Sequence, residues 1–162
     1  MAAVAERSLF FANGFVISCG TVSLDVVRAK VLLIRCRRTG EYLPPKGRKD
    51  LGESLEHAAT RETFEETGIP VQLLPVNLET LATLPPSMQG DDRPRAVTEL
   101  LCRFSEGGDS ASIPDEGTQV EDEDFEPIWV GFDEVGAILS YDDDRRIANE
   151  AAGAVQRGQT VA

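Results

Sequence analysis

One stretch of this chain is punctuated so tightly that its conformation is nearly dictated. Pro44 and Pro45 exclude a helix at 42–47, and Gly47 permits a tight bend directly after them. Residues 54–67 then run without Gly or Pro, from Ser54, a good N-cap, to Gly68 in the usual C-terminal glycine position, and Pro70 blocks continuation. The pattern predicts a helix near 54–67. Its last turns carry Glu62, Glu65 and Glu66. At about 100° per residue these share one helix face, expected to be exposed. Like charges at such spacings repel by a few tenths of a kcal/mol. A divalent cation reverses that sign, and an oxygen-only donor set suits Mg²⁺ or Mn²⁺ better than zinc.

The flanks read mostly as strands. Residues 14–19 and 29–36 are apolar and β-branched, a predicted pair with a turn between them. Residues 71–84 read as one long strand or two, 96–104 and 125–131 as strands, and 133–140 and 143–157 as helices. Residues 86–95 and the Gly/Ser/acidic segment 105–124 read as loops, and the second is long enough to suggest function or mobility. The order predicts an α/β fold: an α/β/α sandwich on a central mixed sheet, in one domain over residues 1–162.

Charge is segregated. Residues 28–49 hold eight Lys and Arg against Glu41 alone, while residues 106–144 hold 14 acidic residues and no Lys or Arg. The basic block runs straight into the carboxylate helix, which suits a polyanionic substrate such as a polyphosphate. A net charge of −12 disfavours general nucleic-acid binding. No apolar run is long enough to span a membrane, and the N-terminus lacks a basic n-region and a long apolar core, so a cytoplasmic protein is expected. A leader removed beforehand would leave no trace. Oligomeric state is not legible. Cys19, Cys36 and Cys102, odd in number and set in apolar runs, read as small buried hydrophobes. His57 reads as a solvated helix residue.

Residues 47–69 closely resemble the Nudix box: Gly, five residues, Glu, seven residues, then Arg-Glu-U-x-Glu-Glu-x-Gly-U, with U bulky and aliphatic. Gly47, Glu53, Arg61, Glu62, Glu65, Glu66, Gly68 and Ile69 fall in register. Thr63 stands at the first U, which predicts slightly looser packing under the helix. The lead-in at 42–47 and the stretch at 125–134 are also similar to this family. The resemblance implies a metal-dependent hydrolase of phosphoanhydride bonds, with Glu62, Glu65, Glu66 and the Gly47 carbonyl as ligands of Mg²⁺ or Mn²⁺. It implies a Glu53–Arg61 pair bracing the loop. The base would be one of the helix glutamates or a distant one, with Glu116, Glu121 and Glu123 as candidates. A binding module that has lost catalysis is the non-enzyme alternative, but such modules often lack one of the three glutamates.

The lead-in resembles the diadenosine and diphosphoinositol polyphosphate phosphohydrolase subgroup. Lys46, Arg48, Lys49, Arg35 and Arg37 are the expected substrate-binding cations, joined by Arg93 and Arg95 in the 86–95 loop. Aromatic residues for stacking a base are sparse, and Trp129 reads as core. Inositol pyrophosphates are therefore expected ahead of dinucleoside polyphosphates or capped RNA.

Overall fold

A computed structural model describes residues 16–74, 79–83, 95–103 and 113–157. Among these, eight strands form one mixed sheet: β1 (Val16–Asp25), β2 (Lys30–Cys36), β3 (Tyr42–Leu43), β4 (Lys46–Arg48), β5 (Gln72–Leu73), β6 (Glu79–Thr83), β7 (Arg95–Arg103) and β8 (Phe125–Gly131). The helices are α1 (Leu55–Thr67), α2 (Val135–Ile138) and α3 (Asp142–Gln156). Helix α1 is the helix the sequence predicts. The Ser54 side chain accepts from the His57 N–H, and Gly68 closes the helix at φ 69°, a left-handed angle that glycine adopts without strain.

β1 is the spine. It runs parallel to β7 from Val16↔Arg95 to Leu24↔Arg103. Its other edge is shared: Ser18–Gly20 pair with β4, and Ser23–Asp25 pair antiparallel with β2. β2 in turn pairs with β8 along its whole length, Lys30↔Gly131 to Cys36↔Phe125. β1 thus parts from β2 after a few residues, and the 42–48 segment fills the opening.

The strand expected to end at Cys19 continues to Asp25. Thr21 and Ser23 disguise it, because both are polar yet fully buried. Their hydroxyls are satisfied internally: Thr21 Oγ1 lies 2.8 Å from Ser23 Oγ and 2.7 Å from Thr63 Oγ1. Alternation along β1 divides the core. Val22 and Leu24 face α2 and α3, packing with Val31, Leu33, Val135, Leu139 and Ala148. Cys19 packs on the opposite face against Ala58 and Ala59 of α1, and Leu32 packs there with Ile69 and Trp129. Helices cover both faces, as an α/β/α sandwich requires.

The expected loop 86–95 and the candidate cation Arg93 fall on residues that are not described. Arg95 opens β7. Cys19 is buried and Cys36 half-buried, both as free thiols. The Cys102 side chain lies outside the described residues.

Candidate active site

The buried stripe of α1 is Ala58, Ala59, Glu62, Thr63, Glu66 and Thr67. It is made of small residues and two carboxylates. The small residues let the helix lie close to β1 and β4, and the 44–48 segment then covers the acids. The expected exposed carboxylate face is therefore corrected: Glu62 is 7% and Glu66 4% exposed, and of the three only Glu65 is half-open to water.

The Thr63 departure also has a structural account. Its hydroxyl donates to the Ala59 carbonyl at 2.8 Å and meets Thr21 on β1. A hydroxyl chain takes the place of the apolar contact, so the packing beneath the helix is tight.

Arg61 is the hub of the site. Nε and Nη2 grip both oxygens of Glu53 at 2.8 and 3.0 Å. Nη1 donates to Glu62 Oε1 and to Glu65 Oε2, each at 2.9 Å, and Nη2 also reaches the Arg48 carbonyl at 2.9 Å. The expected Glu53–Arg61 brace is present, and it ties the 48–53 loop to the helix. The Arg61 hydrogen bonds hold Glu53 down to about 2. His57 is solvated, as expected, but its Nδ1 lies 2.8 Å from Glu53 Oε1.

Glu66 is differently placed. Its Oε2 accepts from the Lys46 N–H at 2.8 Å. Burial pushes its carboxyl up to about 8, and the nearby charges of Glu123 and Glu62 push the same way. Burial also raises Glu62, against the hydrogen bond and charge of Arg61. Gly47 is set against Glu62 so closely that a Cβ there would fall on the carboxylate. Among the described residues, no three Asp, Glu, His or Cys groups are gathered closely enough to hold a metal ion as they stand. Arg61 Nη1 lies between the Glu62 and Glu65 oxygens.

The three candidate distant glutamates separate. Glu123 is half-buried, and its charge acts on both Glu62 and Glu66. Glu121 is exposed. Glu116 is exposed and lines a cavity of about 510 Å³ with Thr67, Phe125 and Pro127.

The cations separate as well. Arg35 pairs with Glu126 at 3.7 Å and lies over the Tyr42 ring, and Arg37 pairs with Asp124 at 3.2 Å. Lys46 is paired with Gly20, and a Cβ on Gly20 would meet the Lys46 Cβ, so the Lys46 side chain leaves the strand on the α2/α3 face. Arg48 and Lys49 follow Gly47, with the Lys49 ammonium on the Asp50 carbonyl at 3.0 Å. Sequence reasoning missed Thr118 and Gln119, whose side chains donate to the Glu65 and Glu66 carbonyls at 2.8 and 3.1 Å. Nothing in a local pattern marks a bond that spans 53 residues.

Comparison with known proteins bears on the family and the fold. The family described as NUDIX domain matches residues 19–151. A relative from Mycobacterium tuberculosis (strain CDC 1551 / Oshkosh), which carries the provisional name mutator protein MutT4, is 33% identical over 133 residues, 80% of this chain. The match covers 49% of that protein, so the chain spans about half the length of this relative. A C. elegans Ap4A hydrolase binary complex superimposes with a TM-score of 0.64 at 20% identity, covering 88% of this chain and 98% of that one. A NUDIX hydrolase from Nitrosomonas europaea superimposes at 0.63 with 17% identity, covering 86% and 89%.

Proposed function

The chain belongs to the NUDIX family, and from that premise we propose that it is a metal-dependent hydrolase of a phosphoanhydride bond in a small, diphosphate-linked substrate. One observation carries the reading: two buried glutamates of one helix, Glu62 and Glu66, meet the Lys46–Gly47 backbone of β4, and Glu65 is tied to Glu62 through Arg61. A buried Glu66 with two acidic neighbours and one backbone donor is poorly compensated as it stands, which is the setting a hard cation relieves.

The all-oxygen donors suit Mg²⁺ or Mn²⁺, which Glu62, Glu65, Glu66 and the Gly47 carbonyl would hold once these side chains close on the ion. When bound, such an ion neutralises the diphosphate and lowers the pKa of water. Arg61 aligns Glu62 and Glu65, and Glu53 fixes Arg61 in turn. We assign Glu123 as the general base because it is half-buried in the turn just before β8, whereas Glu116 and Glu121 are exposed. Catalysis then rests on charge placement and in-line positioning rather than covalent chemistry.

For the substrate, the exposed Arg48 and the adjacent Lys49 support an inositol pyrophosphate. Arg35 and Arg37 are partly neutralised by acidic residues on β8 and just before it, in half-exposed pairs. That favours, as a second reading, a less highly charged dinucleoside polyphosphate or capped RNA. The deciding experiment is a Mg²⁺-dependent hydrolysis panel of inositol pyrophosphates, diadenosine polyphosphates, capped RNA, ADP-ribose and oxidised nucleotides. Glu66→Gln should remove most turnover with the fold intact. Turnover near wild type in that variant would sink the metal assignment.

Among the described residues no helix is long and apolar enough to cross a membrane.

A further inference from the structure

A helix ends with carbonyls that need outside partners. At the end of α1 they go to the segment before β8. The Gly68 carbonyl accepts from the Asp115 N–H at 2.8 Å, Glu65 from Thr118 Oγ1, and Glu66 from Gln119 Nε2. The Gln119 carboxamide does more. Its Nε2 also donates to the Phe125 carbonyl at 2.8 Å, and its Oε1 accepts from the Phe125 N–H at 3.0 Å. These are the two backbone groups a neighbouring strand would take. One side chain therefore clamps the last turn of α1, which carries Glu66, to the first residue of β8.

Between Gln119 and Phe125 runs the turn at 120–124, which carries Glu123. The Glu123 N–H donates to the Val120 carbonyl at 3.2 Å, and Asp122 sits at φ 82°, a strained angle for a residue with a side chain. The turn is short and anchored at both ends by the same carboxamide.

We propose that Gln119 is a positioning residue of the hydrolytic site, setting the separation between Glu66 and Glu123. The proposal rests on the reading of Glu66 as a metal ligand and Glu123 as the base. The carboxamide is the group required, because it donates and accepts in one plane. A carboxylate in its place would face two carbonyl oxygens with no proton to offer, and an alanine would release all three bonds. Hydrolysis of this kind tolerates little misplacement: about 1 Å costs roughly 100-fold.

The test uses the full chain with Mg²⁺ and diadenosine tetraphosphate, or an inositol pyrophosphate if the panel favours it. Gln119→Ala and the isosteric Gln119→Glu should each lower kcat about tenfold or more and leave KM within about threefold. Both should keep the wild-type circular dichroism spectrum at the assay temperature. The separating measurement is a double-mutant cycle with Glu123→Gln. If Gln119 acts by placing Glu123, the double variant Gln119→Ala/Glu123→Gln turns over no more slowly than Glu123→Gln alone. Wild-type kcat in Gln119→Glu, or losses that multiply in the double variant, would overturn the proposal. Glu66→Gln, measured alongside, reports on the site itself: if it turns over normally the metal reading fails, whatever Gln119 does.

Discussion

Glu53 and Arg61 meet through two parallel hydrogen bonds, Nε to Oε1 at 2.8 Å and Nη2 to Oε2 at 3.0 Å, with Glu53 only 7% exposed. The same guanidinium holds Glu62, Glu65 and the Arg48 carbonyl. Only a planar group with five donors can do this. Arg61→Lys keeps the charge and loses the fork. It should cost about 2 kcal/mol, the modest figure reflecting that a quarter of Arg61 remains in water. Urea denaturation measures it, and a loss indistinguishable from zero would show that the fork contributes nothing to stability.

The same pair sets an acid limit. Glu53 is held at about 2 in the folded chain against an ordinary 4.5. Its pKa is depressed, so its contribution is complete above 4.5 and is lost as pH falls from 4.5 towards 2. Acid unfolding of Glu53→Gln should show a shallower stability slope in that window than wild type. Identical slopes would contradict the shift.

Gly47→Ala places a methyl on the Glu62 carboxylate. Glu62 must move or the turn must open. Turnover should fall by about tenfold to 100-fold while the melting temperature shifts little, because β4 lies at the margin of the core. Unchanged turnover would mean that Glu62 has room the structure does not show.

Thr63→Val removes the hydroxyl that Thr21 meets at 2.7 Å. Thr21 keeps Ser23 Oγ at 2.8 Å, so the change should cost about 1 kcal/mol, the typical net value of one buried hydrogen bond. Thr21→Val/Thr63→Val removes both ends and should cost clearly less than the sum of the single changes. Additive losses would deny the hydroxyl chain.

Asp144, near the start of α3, is 9% exposed, and burial raises its carboxyl above the usual 3.8, against the field of Lys46. A raised carboxyl binds its proton more tightly when folded. Its stabilising share is therefore full below 3.8 and lost as pH rises through the folded value. Asp144→Asn should melt higher than wild type at pH 7 and match it below pH 4. A lower melting temperature at pH 7 would assign Asp144 a favourable partner when charged.

What the sequence determined by itself is local. Ser54, Gly68 and Pro70 bound α1 because capping and the left-handed turn act within a few residues. β8 falls on 125–131 as read, since its apolar run is short and cleanly bounded. Glu53 and Arg61 lie eight residues apart, near enough for a motif to record their contact. Tertiary structure alone decided the rest. The burial of Glu62 and Glu66 depends on the 44–48 segment closing over α1. Thr21 and Ser23 read as turn residues because their hydroxyl partners lie on each other and on Thr63, which is 42 residues from Thr21. Glu123 stands out from Glu116 and Glu121, and Arg35 and Arg37 are drawn to acids beyond residue 120, only once β2 and β8 are in register. Gln119 joins helix and strand across 53 residues on one side and six on the other. Such bonds depend on how the sheet brings distant segments together, and no spacing along the chain encodes that distance.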